Sequence, residues 1–139
     1  MPGFSLIYLD IDGVLRPDSS EELLDSCTLH LTSIIEGIFD RSGTHVKIVL
    51  SSDWRLYDDR RAKVQEHLSA HGMAIHSVTP DLYSSLSISG PRMNRLEEIR
   101  ALEILTSVLA LNPVSFVCLD DMALPLKQAV QVDYNQGLT

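Results

Sequence analysis

The apolar run Leu6-Ile7-Tyr8-Leu9 stops abruptly at Asp10-Ile11-Asp12-Gly13, and no other junction in the chain constrains the fold as much. A short, continuous, β-rich apolar run reads as a strand buried on both faces, which is the habit of parallel sheets covered by helices. Carboxylates one residue apart at its carboxyl end then fall where open α/β sheets keep their chemistry. Two later runs repeat the form. Val46-Lys47-Ile48-Val49-Leu50 ends at Ser51-Ser52-Asp53-Trp54-Arg55, and Val114-Ser115-Phe116-Val117-Cys118-Leu119 ends at Asp120-Asp121.

Between these runs the periodicity is helical. Leu31, Ile34, Ile35, Ile38 and Phe39 predict a helix over much of Leu29 to Arg41, stopped by Gly43. Ser19-Ser20-Glu21-Glu22 has the Ser-x-x-Glu form of a capping box. A second helix is expected from about Asp58 to His71, then a weakly patterned strand from Met73 to Thr79. The Ser-rich stretch Pro80 to Met93 reads as a long loop or flap. Asn94 is placed to cap a helix from about Arg95 to Leu111, with Ile99, Leu102, Leu105, Val108 and Leu109 on its apolar side and Asn112-Pro113 ending it. Ala129 to Asp133 is a candidate fifth strand. The expected architecture is α/β, a three-layer Rossmann-like sandwich with a mostly parallel central sheet, one domain over residues 1–139. Parallel strands aim their carboxyl ends at one edge, so Asp10, Asp12, Ser51, Asp120 and Asp121 should converge there.

Composition narrows the partners. A formal net charge of −8 disfavours wholesale attraction to nucleic acid or anionic membrane while leaving room for a local basic site. No apolar stretch approaches the roughly 18 to 20 residues that span a bilayer, and the first strand begins too early for a leader peptide, so a cytoplasmic location is expected. Cys27 and Cys118 read as isolated buried thiols. His30, His45, His67, His71 and His76 show no ligand spacing and read as ordinary surface or helix residues.

Asp10, Asp12, Asp120 and Asp121 gathered in one crevice would repel one another, and a hard divalent cation is the simplest neutraliser. Mg²⁺ suits such a site, because it takes a few carboxylates and completes its octahedron with water and substrate phosphate oxygens. One member of the first acidic pair is then free to attack phosphorus and the other to serve as general acid and base.

These residues resemble the four motifs of the haloacid dehalogenase-like (HAD) superfamily: Asp10-x-Asp12-Gly-Val-Leu, Ser51 after a hydrophobic strand, a basic residue opening the helix before the fourth strand, and Asp120-Asp121. More narrowly, Leu50-Ser51-Ser52-Asp53-Trp54-Arg55, Arg95 with Glu98-Ile99, Leu119-Asp120-Asp121 and Gly137-Leu138-Thr139 are similar to small HAD domains of bacteria, phages and multidomain RNA-repair proteins.

The resemblance implies Asp10 as nucleophile forming an aspartyl-phosphate, Asp12 as proton shuttle, Ser51 on a phosphoryl oxygen and Arg95 offsetting its charge. It implies a metal held by Asp10, the Asp12 backbone carbonyl, and Asp120 or Asp121. Gly13, Ser52, Arg55 and Arg92 are candidates for contact with the substrate; Ser52 competes with Ser51, and Arg92 with Arg95. Within the resemblance, an aspartate at position 12 implies a phosphatase or phosphomutase and not a dehalogenase. The spacings leave no room for a cap domain, so the resemblance implies an open site able to admit a phosphate on a large molecule such as a nucleic-acid end or a phosphoprotein; the expected partner is a phosphorylated substrate, small molecule or nucleic-acid end. Arg16 is then a further candidate for substrate phosphates, and Trp54 either stacks on a base or packs beneath the first helix. The rival within the family is a catalytically degenerate binding or regulatory module. A response-regulator receiver lacks its phospho-acceptor Asp and late Lys here, and a Toprim-like site lacks its Glu strand.

Overall fold

A computed structural model describes residues 3–86 and 96–139. Five strands form one sheet: β1 (Phe4–Leu9), β2 (His45–Leu50), β3 (Ile75–Val78), β4 (Ser115–Asp120) and β5 (Ala129–Gln131). Their spatial order is β3-β2-β1-β4-β5, and every neighbouring pair is parallel. The strand that delivers Asp10 is therefore central. Helices α1 (Asp25–Ser42), α2 (Asp58–Ser69), α3 (Tyr83–Leu86) and α4 (Leu96–Leu111) connect the strands, with a 3-10 turn at Asp53–Leu56. The chain is thus an α/β, Rossmann-like layered domain. None of the helices described is long and apolar enough to cross a membrane.

β1 explains the layering, because side chains alternate between the faces of a sheet. Ile7 and Leu9 point into a core with Leu31 of α1 and Val64 and Leu68 of α2. Leu6 and Tyr8 point the other way, into a second core with Ile104 of α4. All four strand residues are fully or almost fully buried, which is why the run carries no polar alternation. Cys27 and Cys118 are both free and buried, as expected.

Three local expectations are corrected. α1 starts at Asp25, one turn earlier than its apolar periodicity predicts, and Leu24 at its N-cap makes no side-chain capping bond. The Ser-x-x-Glu segment does not cap it, because the Ser20 hydroxyl closes on Glu22 instead, accepting from its N–H at 3.1 Å and donating to its carbonyl at 2.7 Å. Within Pro80 to Met93, expected as a loop, Tyr83–Leu86 forms a helical turn, and Asp81 accepts from the Ser84 N–H ahead of it. Asn94 and the rest of that stretch from residue 87 lie outside the described residues.

The third correction concerns α4. Its buried residues are Ile99, Ala101, Glu103, Ile104 and Ser107, whereas Leu102, Leu105 and Leu109 are exposed. The sheet-facing stripe is partly polar because each polar group meets a partner. Tyr8 Oη donates to Ser107 Oγ at 2.9 Å, and Glu103 meets Arg55 at 2.9 Å. Gly43 and Asn112 end their helices in left-handed conformations, at φ 70° and 51°, where a glycine or asparagine is the least strained choice.

Candidate active site

The parallel register puts the strand ends side by side. Leu9 pairs with Leu50 and with Leu119, the Asp10 N–H donates to the Leu119 carbonyl at 3.0 Å, and the Ser51 N–H donates to the Leu9 carbonyl at 2.9 Å. Asp10 thus stands between Ser51 and the acidic end of β4. Oxygens of Asp10, Asp120 and Asp121 lie within 4.8 Å of one another, and Asp10 and Asp120 are almost wholly buried.

Two buried carboxylates this close do not both ionise without a cation beside them. Burial, and then the neighbouring Asp120 charge, push the Asp10 carboxyl well above its ordinary range. Burial likewise raises Asp120, against the pull of Arg100 and of the Met122 N–H that it accepts at 2.9 Å.

Among the described residues the cation at this edge is Arg100, which sequence reasoning passed over. Its guanidinium lies 3.1 Å from Asp120, 3.5 Å from Asp10 and 3.7 Å from Asp53. Burial works against its charged form, yet Asp10 and Asp120 outweigh that and raise its pKa. The available signal was that Arg100 is the sole Lys or Arg in the sequence of α4, one turn in from the end that faces the acidic edge. Arg95 and Arg92, the two basic residues first considered, lie outside the described residues.

Asp12 points elsewhere. Its carboxylate is about half exposed and accepts from Arg16 Nε at 2.8 Å and, through both oxygens, from Trp54 Nε1 at 3.2 Å. It is outside the cluster formed by the side chains of Asp10, Asp120 and Asp121. Trp54 itself is buried in the α1/α2 core, with the Arg16 and Arg60 guanidinium groups 6.0 and 5.8 Å from its ring. Of the two readings, packing beneath the first helix is the arrangement seen, and the indole N–H meets Asp12.

The loop that carries Asp12 is tight. The Val14, Leu15 and Arg16 N–H groups all converge on the Ile11 carbonyl, each at 3.0 Å. Gly13 has φ +83°, and a Cβ there would meet Asp121 Oδ2 at 2.6 Å. Its contribution, assigned to the substrate in the sequence, is therefore to let the Asp121 side chain approach. The carboxyl-terminal segment buttresses the same loop through Leu138, whose N–H donates to the Val14 carbonyl at 2.8 Å.

The serines separate. Ser52 Oγ accepts from the Trp54 N–H at 3.2 Å and caps the 3-10 turn, so this hydroxyl has a structural partner within its own turn. Ser51 Oγ is buried and has no hydrogen-bond partner among the described residues. Such orphans are uncommon and costly in folded proteins.

Arg55 is corrected outright as a substrate-binding residue. It is buried, paired with Glu103, and donates to the carbonyls of Thr79, Ser52 and Pro80 at 2.9 to 3.0 Å. It ties the ends of β2 and β3 to α4.

A parallel five-stranded sheet with this order, an acidic pair ending its central strand and further acids ending the next define a HAD-like domain without a cap. Residues 6–139 match the family described as the HAD domain in Swiss Army Knife RNA repair proteins, and the chain belongs to that family. No curated protein and no solved structure matches the chain.

HAD domains generally use Mg²⁺, and the donor set fits it: Asp10, Asp120 and Asp121 offer only hard oxygens, and the bare Cα of Gly13 leaves room for Asp121 among them. Cys118 is not among the side chains of this cluster, and burial and the Asp120 charge push its thiol up to about 12.

Proposed function

We propose that the chain is a Mg²⁺-dependent phosphomonoesterase working through an aspartyl-phosphate on Asp10. The observation that carries this reading is the unpartnered, buried Ser51 hydroxyl beside Asp10 at the sheet edge, because a phosphoryl oxygen would satisfy that donor. An Asp10 oxygen attacks phosphorus in line with the leaving oxygen. Asp12, held by Trp54 and Arg16, protonates that oxygen as it departs and then takes a proton from the water that cleaves the acyl phosphate. Ser51 donates to one phosphoryl oxygen, and Arg100 offsets the charge that accumulates near Asp10 and Asp120. Asp10, Asp120 and Asp121, with the Asp12 carbonyl, would hold Mg²⁺, which would supply the remaining positive charge against the phosphate.

The substrate we infer is an accessible phosphate on a nucleic-acid end or nucleotide. Supporting it are the uncapped edge and membership of a family described from RNA repair proteins; the net charge of −8 favours short substrates over long duplexes. Two free thiols are in keeping with a reducing cytoplasmic setting.

Release of inorganic phosphate should be measured with Mg²⁺ across aryl phosphates, nucleotides, small metabolites and 5′- or 3′-phosphorylated oligonucleotides. Turnover is expected only with the metal, and fastest on the oligonucleotides or nucleotides. No turnover on any phosphoester, together with no Mg²⁺ binding, would overturn the proposal in favour of a binding module.

Trp54→Phe tests the orientation of Asp12, since the ring is kept while the N–H is lost. A fall in kcat of about tenfold is expected with KM nearly unchanged, well short of the roughly 10²- to 10⁴-fold that acid–base catalysis supplies in full. An unaltered kcat would show that the indole contributes packing alone.

A further inference from the structure

On the face of the sheet covered by α1 and α2, the fold assembles a second group of metal-ligating side chains. His67 and His71, four residues apart on and just beyond α2, have ring centroids 5.2 Å apart. Asp25, at the start of α1, faces them, with Oδ1 2.9 Å from His71 Nε2. Ligand atoms of Asp25, His67 and His71 all lie within 4.8 Å of one another. The sequence reading, which saw no ligand spacing among the histidines, is corrected here. The spacing of four is the one that places two imidazoles on the same side of a helix. It survives the end of α2 because Ala70 keeps a right-handed helical conformation and the His71 N–H donates to the Leu68 carbonyl at 3.0 Å.

We propose that Asp25, His67 and His71 form a site for a borderline transition-metal ion of the Zn²⁺ class, which clamps α1 to α2. Two imidazoles and one carboxylate suit Zn²⁺, Co²⁺ or Ni²⁺ and not Mg²⁺, whose preferred ligands are all oxygen. The donor chemistry is thus distinct from that of Asp10, Asp120 and Asp121, whose all-oxygen set suits Mg²⁺.

The surroundings resemble those of a built site. The Thr28 hydroxyl sits 2.7 Å from His67 Nε2 while its own hydrogen is directed at the Leu24 carbonyl, 3.0 Å away. In that arrangement His67 Nε2 carries the ring proton and Nδ1 keeps its lone pair. A metal-bound histidine habitually donates its other N–H to an oxygen in this way. His71 is mostly buried, at 16% side-chain exposure, whereas Asp25 is 79% exposed, so an ion can enter from the solvent side.

Cobalt is the informative probe, because its ligand-field absorption reports coordination directly. With Mg²⁺ in excess to occupy the acidic site, titration with Co²⁺ should give one equivalent of bound metal and a visible band that Zn²⁺ displaces. Zn²⁺ should also raise the melting temperature in proportion to the logarithm of its free concentration. His71→Ala and His67→Ala should each abolish the band. Thr28→Val, which removes only the oxygen behind His67, should weaken binding by about 10- to 100-fold. Each variant should keep Mg²⁺-dependent phosphate release, so failure of this site and failure of the proposed activity are separable.

Retention of the band in His71→Ala, or its loss in Asp10→Asn, would overturn the proposal by placing the metal at the acidic edge. Absence of any Co²⁺ or Zn²⁺ effect on the wild-type protein would overturn it equally, leaving a hydrogen-bonded pair between helices. If His67→Ala fails to fold, His71→Gln, on the less central ring, provides the same readout.

Discussion

Asp10→Asn is expected to reduce phosphate release by at least about 10⁴-fold, as removal of a nucleophile does when the rest of the site is left in place. The same substitution should not destabilise the metal-free protein. Asp10 is buried against Asp120 and Asp121, and an amide of the same shape removes one of three crowded acids. Single-turnover assays and thermal melting, run on the same preparation, separate the two effects. A variant that melts normally and still turns over within tenfold of wild type would rule out Asp10 as nucleophile. Trapping of labelled phosphate on the wild-type chain after acid quench, absent in the variant, is the complementary measurement.

Glu103→Ala should cost roughly 3 to 5 kcal/mol, the range for breaking one side of a buried ion pair and leaving the other charge uncompensated. Arg55 is 3% and Glu103 5% exposed at their side chains, so water cannot take the place of the missing carboxylate. Glu103 Oε2 also accepts from the Leu82 N–H at 2.9 Å, and that donor is orphaned too. Glu103→Gln keeps an acceptor oxygen and should lose less. Urea unfolding of the two variants gives the comparison directly. A loss below 1 kcal/mol for Glu103→Ala would mean that Arg55 is held by the three backbone carbonyls and by Asp53, 3.8 Å from its Nη1. Because the pair links β2, β3 and α4 near the catalytic edge, the variant should also be the more sensitive to proteolysis.

The strands and their acidic ends were legible because one physical rule governs them. A strand covered on both faces has to be apolar throughout, and it advertises its end where charge begins, as at Leu9-Asp10 and Leu119-Asp120. The facing of α4 was not legible. Counting apolar residues chose Leu102, Leu105 and Leu109, but the buried stripe carries Glu103 and Ser107, whose burial depends on Arg55 and Tyr8 from distant parts of the chain. A partner that far away in sequence leaves no trace in local periodicity.

The same limit applies in the site. Ser51 and Ser52 are chemically identical neighbours, and only the turn that uses Ser52 as its cap separates them. Arg100 escaped notice because a cation was expected at the helix start; among the described residues it is Arg100, one turn further in, that reaches Asp10 and Asp120. The Asp25, His67 and His71 group joins two helices that only the folded layer brings together.

The position of Trp54 has one further consequence. It is the only tryptophan in the chain, and its indole N–H rests on the Asp12 carboxylate. Indole emission responds to charge placed beside the ring, so the protein carries its own fluorophore at the group proposed to handle the proton. Substrate arrival, departure and the ionisation of Asp12 are therefore open to stopped-flow optical recording without any attached label.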